Sequence, residues 1–195
     1  MSEQQDKTVG QYIKTLAIPL IIICLFCSFL VAFAHEGTKD TIAAKAKADT
    51  EAAYKAIFPD LGQLTQAKAP GGKIKDLQIS KKDGKANGYI YTVVPNSYGG
   101  PLELMVGINA KDGKITGIKV LKHDDTPGLG AKSTEPAFSD QFKGKDTKKD
   151  IKLVKHATNK PDEFQAITAA TITSSAIRDG VNEVRADYVK NYAGK

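Results

Sequence analysis

LELMVGINAKDGKITGIKVL, residues 102–121, reads as two strands around a tight turn. The flanking runs are rich in β-branched and apolar residues, and Asp112-Gly113 supplies a residue pair that accepts φ > 0 between them. A second pair lies upstream. KIKDLQIS (73–80) and YIYTVVP (89–95) flank KKDGKANG (81–88), a hairpin-like connection. QAKAPGGK (66–73) is read as a loop from its Pro and glycines. Four runs joined this way predict an antiparallel sheet, and DIKLVK (150–155) is a candidate fifth strand. Residues 173–192 predict a helix, with Ile177, Val181, Val184, Tyr188 and Tyr192 along one stripe. The fold class is α+β, with helices segregated on a sheet.

The N-terminal third has a different character. Residues 15–34, TLAIPLIIICLFCSFLVAFA, run for 20 positions without a charge. A helix of that length reaches ~30 Å, the thickness of a bilayer core. A retained anchor and a cleaved signal peptide both fit, since AFA before His35 resembles an A-x-A cleavage site. The apolar run exceeds the ~7–15 residues of a signal's apolar region, which favours the anchor. Lys7 and Lys14 precede it, which favours a cytoplasmic N-terminus. Residues 38–57 are Ala-rich and charged and read as a helix leading out of the span, ended by Pro59 and Gly62. The expected layout is a cytoplasmic tail at 1–14, a transmembrane anchor at 15–34, a linker helix at 35–60 and an exported domain at 61–195.

Net charge is +6 and nearly all the basic residues are lysines scattered among Asp and Glu; only Arg178 and Arg185 are arginines. That is a solvated surface rather than the clustered Arg of a nucleic-acid face, so no nucleic-acid partner is expected. Cys24 and Cys27 have C-x-x-C spacing, but they lie in the apolar run with no His or second pair nearby. They read as small apolar residues, and no metal site is expected.

Three stretches ask for more than structure. Gly99 and Gly100 in NSYGGPLEL (96–104) make a tight bend or a close approach of backbone to a ligand. HDDTPGLGAK (123–132) is a Gly-permitted loop whose N–H groups suit a flat ring or a phosphate. His123 is read as structural or as a support behind a binding residue, because His35 and His156 stand apart and complete no metal set. QAITAATITSSAIRDG (165–180) holds Thr168, Thr171, Thr173, Ser174 and Ser175 at a helix start. One of these hydroxyls is expected to cap the helix. The free N–H groups there suit a phosphate, and the small Ala169 and Ala170 let something large approach.

Together these elements resemble the G subunits of the Rnf (Rsx) electron-transport complexes and, more distantly, the C subunits of the sodium-pumping NADH:quinone oxidoreductases. The family pattern His-x-Glu-Thr-Pro-Gly-Leu-Gly stands here at 123–130 with Asp125 for Glu. The pattern Asp-x-x-(Ser/Thr)-Gly-Ala-Thr stands at 165–171, with Gln165 for Asp and Ala169 for Gly, followed by Ile172-Thr173-Ser174. The resemblance implies an FMN-binding domain with FMN esterified through its phosphate to Thr171 by a flavin transferase. It implies that Thr168, Ala170, Thr173, Ser174, Tyr98, Gly99, Gly100, Thr126, Gly128, Leu129 and Gly130 surround the flavin. Ala169 is expected to lose the easy access to φ > 0 that Gly has.

The implied role is non-catalytic electron transfer within a membrane-bound, ion-translocating ferredoxin:NAD oxidoreductase. Its partners would be the other subunits, and its C-terminal domain would lie on the periplasmic side of the cytoplasmic membrane. A stand-alone anchored FMN carrier serving another exported reductase is the alternative. No dinucleotide fingerprint or iron–sulfur cysteine set occurs in the chain.

Overall fold

A computed structural model describes residues 2–194. The backbone of α1 (Ser2–Ile57) is one helix, so the expected tail, span and linker helix are a single element. No breaker separates the apolar run from the Ala-rich stretch after it, and Gly37 is tolerated. Pro19 lies inside the helix, where its ring removes one backbone donor. The chain forms two compact units, one ending at Ala48 and the other beginning at Asp49.

In the first unit, large apolar side chains such as Leu16, Ile22, Phe26 and Phe33 are exposed. The helix is long and apolar enough to cross a membrane, with mean hydropathy 2.9 over its most apolar stretch. Cys24 and Cys27 are free and exposed on it. The side chain of Lys7 lies outside the described residues.

The second unit is built on a five-stranded antiparallel sheet. Its strands are β1 (Gln63–Ala67), β2 (Ile74–Lys82), β3 (Lys85–Val93), β6 (Glu103–Asn109) and β7 (Ile115–Lys122), hydrogen-bonded in the order β1-β2-β3-β6-β7. The four expected runs all form strands, and β1 is an addition. Its sequence QLTQA is polar and largely exposed, as suits a sheet edge, and lacks the apolar alternation that marks the others.

The β2–β3 connection is tighter than its sequence implied. Only Asp83 and Gly84 separate the paired Lys82 and Lys85, and both have positive φ (52° and 77°), the type I′ pattern. At the β6–β7 turn Gly113 takes φ 64°, and its N–H donates to the Asn109 carbonyl at 3.0 Å. Between β3 and β6 the chain makes a small hairpin of β4 (Asn96–Ser97) and β5 (Gly100–Pro101).

After β7 come a 3-10 turn over Gly130–Thr134, a short α2 (Pro136–Ser139), and β8 (Lys152–Val154). The candidate strand in DIKLVK does form, but it pairs in parallel with β9 (Glu163–Gln165) outside the main sheet. The last element is α3 (Thr171–Asn191).

α3 covers one face of the sheet. Ile177, Val181, Val184 and Tyr188 of the expected stripe are buried against Leu77, Tyr91, Val93 and Leu104, with Tyr192 half-buried beside them. Each such side chain contributes ~1.5–3 kcal/mol by leaving water. Phe138, Phe142 and Phe164 extend this core with ring centroids 4.6–5.8 Å apart. The other face takes the last turn of α1 and the residue after it: Ala53, Ile57 and Phe58 pack on Ile90 and Met105. Gly88 and Gly107 admit them, since a Cβ on Gly88 would strike the Phe58 ring and one on Gly107 the Ile57 side chain.

Candidate functional site

The approach to α3 is shaped by backbone geometry. β9 ends at Gln165, whose N–H donates to Gln141 Oε1 at 2.7 Å and whose carbonyl accepts from Gln141 Nε2 at 3.4 Å. Ala169 then takes φ 62°, the left-handed conformation that the replacement of Gly was expected to make costly. The neighbouring structure holds the residue there in spite of its methyl.

Ala170 is the N-cap, and no side chain caps the helix, so the expected Thr or Ser cap is absent. Ser174 does related work from inside the first turn. Its hydroxyl accepts the Ile167 N–H at 3.0 Å and donates to the Ala170 carbonyl at 2.9 Å. The Ser174 N–H bonds the same carbonyl at 3.0 Å. The amides of Thr171, Ile172 and Thr173 precede it and have no acceptor within the helix, leaving three donors at its positive end.

The hydroxyls thereby separate by role. Ser174 is structural and fully buried, while Thr168 and Thr171 are exposed. Thr173 is 1% exposed, and its buried Oγ1 has no partner.

Opposite this turn lies the loop after β7. Asp125 is 6% exposed, and its N–H donates to His123 Nδ1 at 3.2 Å, so His123 serves the loop itself. Asp125 Oδ1 accepts from Ser97 Oγ at 2.9 Å and from the Gly99 N–H at 2.7 Å, tying down the β4–β5 hairpin. Asp125 Oδ2 is buried with no partner. The hairpin approaches so closely that a Cβ on Gly99 would collide with the Asp124 carbonyl group. A Cβ on Gly130 would lie 2.6 Å from Thr173 Oγ1 and 2.7 Å from Asp125 Cγ, so only glycine lets loop and helix meet there.

Hairpin, loop and helix start enclose a cavity of about 430 Å³. Of the residues expected around the ligand, Tyr98, Thr126, Leu129, Gly130, Ala170, Thr171 and Thr173 line it. Gly99, Gly100, Gly128, Thr168 and Ser174 do not. Gly100 (φ 117°) and Gly128 (φ 77°) serve the turns on either side, and a Cβ on either would meet open space. Asp125, Ala169 and Ile172 line the cavity in addition to the expected residues. Asp125 stands at the Glu position of the loop pattern, so the signal for it was present; nothing local marked Ile172. Tyr98, Leu129 and Ile172 are exposed, Tyr98 by 72%, and form an apolar rim. Among the described residues no cluster of His, Cys, Asp or Glu suits a metal.

The model for the FMN-binding domain family matches residues 97–186, which contain every residue lining the cavity. The G subunit of the sodium-translocating ferredoxin:NAD(+) oxidoreductase complex of Acetobacterium woodii is 43% identical over 112 residues, covering 56% of this chain and 53% of that protein. The G subunit of the proton-translocating ferredoxin:NAD(+) oxidoreductase complex of Clostridium ljungdahlii is 31% identical over 164 residues, 84% of this chain and 85% of that one. This chain belongs to the G-subunit family of Rnf-type ion-translocating oxidoreductases. Its fold also matches the crystal structure of the C subunit of the sodium-translocating NADH-quinone reductase of Parabacteroides distasonis, with a TM-score of 0.53, 27% identity, and coverage of 62% of this chain and 63% of that one. The α+β architecture read from the sequence is that of an FMN-binding domain.

The cavity suits FMN part by part. Free amides at the helix start are donors of the kind a phosphate takes, the wall holds polar side chains, and the exposed Tyr98, Leu129 and Ile172 offer apolar surface of the kind a flat ring takes.

Proposed function

We propose that this chain is the electron-transfer subunit of a membrane-bound, ion-translocating ferredoxin:NAD oxidoreductase complex, carrying FMN as a phosphoester on Thr171. The observation that carries this reading is the cavity, which unites the loop at 125–130 with the helix start at 169–173 and has the exposed Thr171 on its wall. The flavin supplies the redox chemistry, and the protein holds, orients and tunes it.

Each part of the site has a task. Thr171 would hold FMN through its Oγ1 as a phosphoester; a flavin transferase would attach it with FAD as the donor, AMP as the leaving group and the hydroxyl proton passing to solvent. The amides of Thr171, Ile172 and Thr173 and the positive helix end offset the charge of the resulting phosphodiester. Ala169 and Ala170 keep the approach to Thr171 open. Tyr98, Leu129 and Ile172 give the ring an apolar seat at the edge of the domain, where an electron partner can come close.

Residues 15–34 anchor the chain in the cytoplasmic membrane, 1–14 remain in the cytoplasm, and 35–60 lead to the extracytoplasmic domain at 61–195. The other members of the complex are the electron partners. The names of the relatives favour this complex over a free-standing carrier.

Co-expression with a flavin transferase tests the reading. The wild-type chain should show denaturation-resistant flavin fluorescence and a mass greater by FMN less one water. Thr171→Ala should lose both and still fold, while Thr168→Ala should keep both. Covalent flavin surviving in Thr171→Ala would overturn the assignment.

A further inference from the structure

We infer that Asp125 bridges the protein and the cofactor's ribityl chain: one carboxylate oxygen holds the β4–β5 hairpin, and the other accepts a hydroxyl of the bound polyol. The inference rests on the proposed flavin site and adds a residue and a ligand group to it.

Oδ1 is saturated by Ser97 Oγ and the Gly99 N–H, whereas Oδ2 is buried without a partner on a residue that lines the cavity. An unpaired buried carboxylate oxygen is costly, and a ligand donor relieves that cost. The second orphan in the wall is Thr173 Oγ1, and both groups crowd the same point beside Gly130.

The position favours the polyol over the ring. Thr173 is two residues from Thr171, so the part of the ligand next to the phosphate reaches this pair first. The apolar Tyr98, Leu129 and Ile172 lie exposed on the rim and suit the ring. Charge points the same way. A carboxylate and a phosphodiester in one cavity repel each other, and a polyol between them donates to both.

Asp125→Asn separates the two arms. Its amide oxygen can still accept from Ser97 and Gly99, and its NH₂ replaces the acceptor facing the ligand. The test uses full-length protein in detergent, prepared without flavin transferase and therefore unmodified. Dissociation constants for riboflavin and for lumiflavin, which has the same ring without the ribityl chain, are read from flavin fluorescence.

Wild type should bind riboflavin at least about tenfold more tightly than lumiflavin. Asp125→Asn should weaken riboflavin about ten- to a hundredfold, the range for a hydrogen bond to a charged group. Lumiflavin affinity should stay within about twofold, because the ring makes none of these bonds. Equal losses for the two ligands, or an unchanged riboflavin affinity, overturn the inference. If the variant does not fold, the wild-type comparison decides alone, and the absence of a riboflavin preference overturns it. Wild type that binds neither ligand would instead count against the flavin site itself.

Discussion

Thr173 and Ala169 are each locally unfavourable. Thr173 buries a hydroxyl without a partner, and Ala169 holds φ 62°. Unsatisfied polar groups and left-handed non-glycine residues each cost roughly 1–3 kcal/mol and concentrate at functional sites. Thr173→Val should raise the stability of the flavin-free chain by about 1 kcal/mol in urea denaturation and weaken riboflavin binding. A loss of stability would mean that the hydroxyl has a partner in the free protein. Ala169→Gly should relieve the left-handed strain by about 1 kcal/mol, partly offset by the entropy of the unfolded chain. Its melting temperature should rise by a few degrees, and its covalent flavin yield should at least equal that of wild type; a lower yield would show that the methyl assists modification.

At the scale of elements, the end of α1 is part of the sheet's packing. Gly107 faces Ile57 closely enough that any side chain there displaces it. Gly107→Val should cost about 1–3 kcal/mol by overpacking, read as a lower urea midpoint with an unchanged slope. An unchanged midpoint would place the α1 end off the sheet.

Lys145 clips another junction. It is 8% exposed, and its Nζ donates to the carbonyls of Lys160 at 3.2 Å and Glu163 at 2.5 Å. Burial pushes its pKa below the ordinary 10.5, with Asp162 and Glu163 opposing that shift. The unfolded chain therefore holds this proton more tightly than the folded one. Lys145 contributes a penalty that is full below its folded pKa and is relieved as pH rises from that value toward 10.5. Stability measured from pH 7 upward should rise more steeply in wild type than in Lys145→Met; parallel curves would show that Lys145 keeps an unshifted pKa.

At the scale of the whole molecule, the prediction concerns the apolar run, which is long and apolar enough to cross a membrane. The length of the charge-free segment predicts that the span is retained. Intact mass and N-terminal sequencing of membrane-extracted protein should give the full chain, with carbonate washing leaving it in the pellet. A mature chain that begins at His35 would overturn the anchor.

Much of this protein was determined by local sequence chemistry. The Asp112-Gly113 turn, the apolar runs and the stripe on α3 specify strands, a hairpin and a helix, because these depend on neighbours along the chain. The loop and hydroxyl patterns marked Thr171 and Thr126–Gly130. What depends on distant partners was not legible. The polar strand β1 exists because β2 offers it an edge, and β8 pairs with β9 because the crossover between them returns the chain in the same direction. Ala170 caps α3 with no side-chain bond, since Ser174 ties the turn from within. Asp125 and Thr173 lie 48 positions apart in the numbering, and only the close approach at Gly130 turns two ordinary polar residues into one cavity wall. Which oxygen stays without a partner is decided there, by which donors the fold brings within reach.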